Sequence, residues 1–224
     1  MRFGGTGNAS LKEILTGLVP WPRLHYGYGS IAPVQSEEHA QQDSKSVQEL
    51  ATEAFDDSNA LLSVSAKKGG KWAGCNLIYQ GAVEVPELTN ATHHIFDPSI
   101  RPRDRSYHFG DFVSRPIAVG LHGRSAHARK DGTSLSILDK TRRSAIMLTT
   151  NSCMTAAFMK VKDRANKMFE RRAFVHSYVN TNLYEGQFFE AFQELETLAK
   201  DFNEIDKDID VYGEEEAEDS ENEI

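Results

Sequence analysis

The residues best suited to chemistry lie near the start of the chain, in the run Ser10-Leu11-Lys12-Glu13. A serine followed three residues later by a glutamate is typical of a helix start, where the hydroxyl accepts from an early backbone N–H and the carboxylate reaches back to the cap. A carboxylate in a first helical turn can also accept a proton or align a water molecule for attack. The spacing therefore predicts helix capping by Glu13, and its carboxylate is a residue type that is also compatible with acid–base chemistry.

A glycine-rich run just before this helix invites comparison with a phosphate-binding loop. Gly4-Gly5-Thr6-Gly7 follows no predicted strand, and no lysine follows it at P-loop spacing, so we interpret it as a lead into the first helix. Cys75 and Cys153 are far apart and have no CxxC or histidine spacing. They predict two buried thiols, and neither a metal site nor a disulfide framework.

Charge divides the chain into three parts. Residues 1–100 carry 7 Lys/Arg against 11 Asp/Glu, residues 101–172 carry 16 against 6, and residues 173–224 carry 2 against 16, so their net charges are −4, +10 and −14. This polarity favours either pairing within the molecule or contact with cationic partners. The basic part has few aromatics and no nucleic-acid-binding signature, and no apolar run reaches membrane-spanning length. We therefore expect neither nucleic-acid nor membrane binding.

Helical and strand patterns are mixed over residues 1–150. Helices are predicted from Ser10 to Gly17, over 46–55 and from Pro86 onward. Strands are predicted over 25–34, 72–79, 116–121 and 144–149, with a long basic loop at 122–133. This mixture predicts one domain that contains both helices and strands.

Two long amphipathic helices are predicted to follow. The first covers 155–172 and turns five side chains inward: Phe158, Val161, Ala165, Met168 and Phe169. Its outward side chains are Lys160, Lys162, Arg164 and Lys167. The second helix, at about 185–205, has an apolar seam of Phe188, Phe192, Leu195, Ala199 and Phe202. Its other face should expose acidic side chains to water: Glu190, Glu194, Glu196, Asp201 and Glu204.

The end of the chain, residues 214–224, holds seven acids and begins with Glu214, Glu215 and Glu216. Such a segment cannot bury a core, so it predicts a disordered acidic tail. The complete pattern predicts an α+β fold. We divide the chain into a two-layer α/β domain at 1–150, a long helical hairpin at 151–213 and the tail at 214–224.

Several segments resemble the C-terminal half of an α-type tubulin. LVPWPRLHYGYGSIAPV, at 18–34, is similar to the family's entry into its intermediate domain, and RRAFVHSYV, at 171–179, is similar to the link between its last two large helices. The SVQEL helix, the LIYQG run at 77–81 and the acidic end match in the same order. The α type is supported by the spacing from Phe3 to Glu13 and by the long loop at 122–136.

The resemblance implies a tubulin/FtsZ-type C-terminal domain and a structural role in cytoplasmic microtubules. In α-tubulins a glutamate matching Glu13 helps to orient the water that attacks GTP held by a neighbouring β subunit, so any catalysis by Glu13 is expected in trans. GTP and Mg²⁺ are expected in the neighbouring subunit or in an N-terminal half that this sequence lacks. The expected partners are β-tubulin, other tubulin subunits, motors and microtubule-associated proteins. The last two would meet Glu185, Glu190, Glu194, Glu196 and the acids at 214–216.

Two alternatives remain open from the sequence. The chain could be a binding module that keeps a tubulin surface and does not polymerise. It could also represent part of a full GTP-binding α-tubulin whose gene model begins late. Whether the chain itself counts as an enzyme is left undecided, because the resemblance places the nucleotide on another part of the assembly.

Overall fold

A computed structural model describes residues 6–7, 10–35, 45–63, 70–96, 109–110, 117–123, 143–181 and 183–207. The described helices are α1 Leu11–Leu18, α2 Val47–Ala54, α3 Val85–Phe96, α4 Met154–Glu170, α5 Val175–Val179 and α6 Gly186–Asn203. The described strands are β1 Tyr28–Ala32, β2 Trp72–Gly81, β3 Ile117–His122 and β4 Arg143–Asn151. Short 3₁₀ turns occupy Asp57–Asn59 and Glu204–Asp206. The predicted loop at 122–133 and the tail at 214–224 lie outside the described residues, apart from residues 122 and 123.

The four strands form one mixed sheet in the order β1-β4-β2-β3. β4 pairs antiparallel with both β1 and β2, and β2 pairs parallel with β3. The last strand in the sequence is therefore inserted between the first two. β2 is the most buried strand, because all its residues except Gly81 are buried.

Side chains on one sheet face build the main core. β2 contributes Cys75, Leu77 and Tyr79 to it, and they pack with buried residues of α2 and α3 and with the end of α6. Trp72 contacts Phe55 edge to face, at 5.2 Å between ring centroids. Removing such large side chains from water contributes about 1.5–3 kcal/mol each to folding. Helices α2 and α3 and the end of α6 thus form a helical layer on this face of the sheet.

Helix α1 lies on the opposite face of the sheet. Its buried residues Ile14 and Leu18 form a second, smaller cluster with Ile78 of β2. The helix begins at Ser10, whose Oγ accepts from the Glu13 backbone N–H at 3.2 Å. It ends at Leu18, one residue beyond the predicted stop at Gly17.

The hairpin of α4 and α6 is confirmed in outline and corrected in detail. Phe158, Ala165 and Phe169 are partly buried toward the seam, as predicted. The inward orientation predicted for Val161 and Met168 is wrong, since they are 60% and 48% exposed. The apolar seam predicted for α6 is confirmed. Ala199 and Phe202 are buried, and the other three members are partly buried: Phe188, Phe192 and Leu195.

The α+β class is confirmed by this arrangement of a four-stranded sheet and packed helices. Phe202 and Ile205 at the end of α6 belong to the same core as the sheet. The division at residue 150 stays a prediction. Of the two thiols expected to be buried, Cys75 is buried and Cys153 only half-buried, and both are free. Burial raises the pKa of the Cys75 thiol above its ordinary value.

Candidate functional site

Helix α1 carries the candidate catalytic residue, and two residues of β2 hold the helix in place. The Asn76 side-chain amide donates to the Ile14 carbonyl oxygen at 2.8 Å, from a fully buried position. Gly74 lets the end of α1 approach the strand, because a Cβ at this position would lie 2.6 Å from the Gly17 carbonyl oxygen and 3.2 Å from the Leu18 Cα. The helix is thus fixed on the sheet by a hydrogen bond and by backbone contact.

Glu13 stands on the exposed side of this fixed helix. Its backbone amide is capped by Ser10, while Ile14 and Leu18 turn into the sheet. Because Glu13 precedes Ile14 by one residue, its side chain leaves the helix about 100° from the buried direction. The exposed Glu13 is thus carried by a helix that is held on the sheet.

Exposed apolar side chains also occur on α1 and just after it. Leu11, on α1, is 60% exposed, and Leu15 of the next turn is also exposed. Trp21 follows the helix and is 47% exposed. Leu11 and Leu15 each lie two residues from Glu13, so they leave the helix about 160° from it, on the other flank. Exposed apolar residues of this size are typical of a surface that is covered by another protein.

The acidic face of α6 is only partly free for partners. Glu196, predicted to face water, forms an ion pair with Lys162 of α4, whose side chain is 17% exposed. The Lys162 hydrogen bond lowers the pKa of Glu196. Asp201, also predicted to face water, is partly buried and pairs with Arg23 at 3.1 Å. Glu196 is nevertheless exposed, as predicted, whereas the partly buried Asp201 and Lys162 correct the prediction that both face water.

The remaining described acids of this face differ in their contacts. Glu185 pairs with Arg172 at 3.6 Å. Glu190 accepts from the Tyr184 hydroxyl at 3.0 Å, which raises the pKa of Tyr184. Glu194 and Glu204 are exposed. Among the described residues that were predicted to bind partners, Glu194 is exposed and its side chain forms no ion pair with another described residue. Glu214, Glu215 and Glu216 lie outside the described residues.

An aromatic cluster joins α4, α5 and α6 at the far end of the hairpin. The Phe169 ring lies 5.0 Å from Phe188 and 5.3 Å from Phe189, measured between centroids. Two cavities flank it. One of about 370 Å³ is lined by Asn166, Phe169, Glu170, Arg172, Val175, Glu185 and Phe189. The other, of about 190 Å³, is lined mainly by apolar side chains. These features shape the surface around the acidic face.

Neither a metal centre nor a membrane span is found in the part of the chain that the structure describes. No group of three or more His, Cys, Asp or Glu side chains there is placed to hold a metal ion. Among the same residues, no helix combines the length and apolar content needed to cross a bilayer.

Sequence reasoning missed Gly74 and Asn76. Both interrupt the otherwise bulky run of β2, WAGCNLIYQG. A glycine inside a strand indicates close approach of another backbone, and an asparagine inside a buried strand requires a hydrogen-bond partner. Those two signals were present, although neither identifies α1 as the neighbour.

Comparison with known proteins agrees with this fold. A family model described as the tubulin C-terminal domain matches residues 22–163, more than half of the chain. The chain belongs to the tubulin family. The matched region begins just after α1 and covers the sheet and the first half of α4.

Similar curated proteins are α chains, as the resemblance predicted. The chain is 32% identical to the tubulin alpha-2 chain of Eleusine indica over 216 residues, which cover 96% of this chain and 46% of that protein. It is 35% identical to the tubulin alpha-1B chain of Schizophyllum commune over 208 residues, which cover 93% and 44%. The chain therefore spans about half the length of the curated relatives it matches.

Proposed function

We propose that the chain is an α-tubulin-like structural subunit that pairs with β-tubulin and other tubulin subunits in cytoplasmic microtubules. Family membership supports the class of protein. The observation that supports the pairing is the exposed surface of α1, which carries Glu13 on one flank and Leu11 and Leu15 on the other, on a helix that Asn76 holds to the sheet. Such a surface suits the end-to-end contact between successive subunits.

In that contact Glu13 acts on the nucleotide of the neighbouring subunit. GTP and Mg²⁺ belong to the family as a whole, and in this proposal they are held by the neighbour. The Glu13 carboxylate aligns the attacking water or accepts its proton beside the γ-phosphate. Rigidity matters for this role, because a misplacement of about 1 Å can cost two orders of magnitude in rate.

The Glu13 role is tested by following phosphate release as the chain co-assembles with αβ-tubulin. Glu13→Ala should lower GTP turnover per incorporated chain by at least about 100-fold, the usual contribution of a positioned acid or base. Lys12→Ala alters the neighbouring exposed residue of the same turn and should leave turnover unchanged. Equal turnover with Glu13→Ala and the unaltered chain would contradict the role.

The outer face of α6 provides the second proposed contact, with motors and microtubule-associated proteins that carry basic surfaces. Acidic side chains steer such partners, and the effect weakens as salt screens the charges. Glu194 is the strongest candidate among the described acids, followed by Glu190 and by Glu185 and Glu196, whose charges are shared with Arg172 and Lys162. Glu214, Glu215 and Glu216 would add to the same field.

The outer-face contact is tested by titrating the chain with a purified motor domain at low and physiological salt. Glu194→Lys should weaken binding several-fold at low salt and less at physiological salt, because surface charge pairs are screened. Glu84→Lys makes the same charge change at an exposed site before α3 and serves as the control. If Glu194→Lys binds the motor domain as tightly as the control Glu84→Lys does, this part of the proposal is wrong.

A further inference from the structure

A row of four cations lies along the outward face of α4. Lys160, Arg164, Lys167 and Arg171 recur at spacings of four, three and four residues, and all four are exposed. At 100° per residue they fall within one narrow stripe, opposite to the side chains that pack against α6. The row is about 16 Å long, from eleven residues at 1.5 Å each.

The charge of this row is not neutralised by its described neighbours. None of the four cations forms an ion pair with any described residue, whereas nearby Lys162 turns away to Glu196. Two exposed acids, Asp163 and Glu170, lie along one edge of the row, and Glu170 accepts from the Asn166 amide at 2.9 Å. Four positive charges against two negative ones leave an excess of two.

The chain leaves the described structure close to the beginning of this row. α6 runs back along α4, and the Thr155 hydroxyl at the start of α4 contacts the Asn203 side chain at 3.0 Å. Three residues further, Asp206 accepts from the Lys71 backbone N–H at 2.9 Å. The described part ends at Lys207, one residue after Asp206.

The acidic segment can reach the row from that point. Seven residue steps from Lys207 to Glu214 span at most about 24 Å. The row begins about 8 Å and ends about 24 Å along α4 from Thr155. Residues 214–224 carry seven acids and no base. Length and charge therefore both match the row.

We propose that residues 214–224 bind the basic row on α4 of the same chain, with Lys160, Arg164, Lys167 and Arg171 as the docking residues. Several exposed charge pairs act together in this contact, each weak alone and each screened by salt. The bound segment is withdrawn from other cationic partners. This last consequence rests on the proposed function, but the docking itself does not.

The docking is tested on the full-length chain by paramagnetic relaxation. A nitroxide is attached at Ser220→Cys in a Cys153→Ser background, and broadening of the backbone amide signals of α4 is recorded at about 20 mM and 500 mM salt. At low salt the amides of residues 160–171 should be broadened, and at high salt the broadening should disappear. The amides of β1, on the far side of the core, provide an internal reference.

Variants and mixing identify what binds. Lys160→Glu, Arg164→Glu and Lys167→Glu together should abolish the broadening, and Lys12→Glu should not. If the triple variant is poorly folded, Glu214→Gln, Glu215→Gln and Glu216→Gln should weaken the broadening from the other side. A second sample mixes spin-labelled chain of natural isotope abundance with isotope-labelled chain that carries no nitroxide. In this mixture, broadening reports only contacts between molecules. Broadening confined to that mixture would overturn the proposal in favour of a second copy, and unbroadened α4 amides at low salt would overturn it outright.

Discussion

At the scale of single residues, the position of Glu13 depends on the strand beneath its helix. Asn76 holds the Ile14 carbonyl, and Gly74 leaves room for the backbone of Gly17 and Leu18. An uncompensated change at either position would move α1 or leave a buried polar group without a partner, at a cost of about 1–3 kcal/mol. The candidate catalytic residue is thus controlled by residues that contact no substrate.

Gly74→Ala tests this control. Its new Cβ would approach the Gly17 carbonyl oxygen to 2.6 Å, so the variant should lose about 1–3 kcal/mol of unfolding free energy or shift α1 away from the sheet. Gly29→Ala is the matched control, because its Cβ would meet neighbours at 3.5 Å or more, an ordinary contact. Urea unfolding of the two variants gives the comparison. Similar losses for both would show that the close approach at Gly74 has no special cost.

Some of this residue-scale detail could be predicted from sequence. The Ser10 cap followed from a local pattern of side chain and backbone, which needs no tertiary information. The partners of Asn76 and Gly74 depend on a helix 60 residues earlier in the chain, so no local pattern could name them. For the same reason the ion pairs of Glu196 and Asp201 could not be predicted, since their cations, Lys162 and Arg23, come from other elements.

At the scale of elements, the α4–α6 hairpin combines an apolar seam with a charged clamp. Phe169 packs against three aromatic residues of α6, while Lys162 reaches Glu196 across the two helices. The Lys162 ammonium lowers the pKa of Glu196 below the ordinary 4.5 of a glutamate. The Lys162–Glu196 pair therefore stabilises the hairpin at pH values above 4.5, and this stabilisation is lost as the pH falls through the lowered pKa of Glu196.

Lys162→Gln should expose this pH dependence. The variant should be less stable than the unaltered chain at pH 7, and the difference should shrink as the pH falls below 4.5, where Glu196 takes up a proton in both proteins. Lys207→Gln removes an exposed lysine that has no recorded acidic partner, so its small effect should not change with pH. Hydrogen exchange of α4 and α6 amides at several pH values measures both. A difference that stays constant from pH 7 to pH 3 would contradict the clamp.

Most element positions followed from periodicity, but their spatial order did not. β2 was predicted at 72–79 and is found at Trp72–Gly81, and α2 was predicted at 46–55 and is found at Val47–Ala54. A helix or strand that is buried on one or both faces has a recognisable spacing of apolar residues in the sequence. The insertion of β4 between β1 and β2 joins segments more than 60 residues apart, and strand alternation carries no record of the neighbour.

At the scale of the whole molecule, the sheet separates two surfaces with different chemistry. On one side α1 exposes Glu13 on one flank and apolar residues on the other, and on the other side of the sheet the helical layer leads to the acidic face of α6 and the basic row of α4. In the proposed assembly, this separation would let one subunit contact a neighbour end to end and still offer charged surfaces to other proteins. Mixed charge on the helical layer makes these outer contacts sensitive to salt.

We propose that the chain occupies the α position next to a nucleotide-holding β subunit, with α1 in the contact. The most direct measurement is zero-length carboxyl–amine crosslinking of polymer assembled with the chain, followed by mass spectrometry of the pelleted fraction. We predict that the chain pellets with polymer and that Glu13 crosslinks to a lysine of β-tubulin, a product that Glu13→Gln abolishes. A chain that stays in the supernatant, or pellets without any β-tubulin crosslink from Glu13 or Lys12 of α1, would contradict the claim.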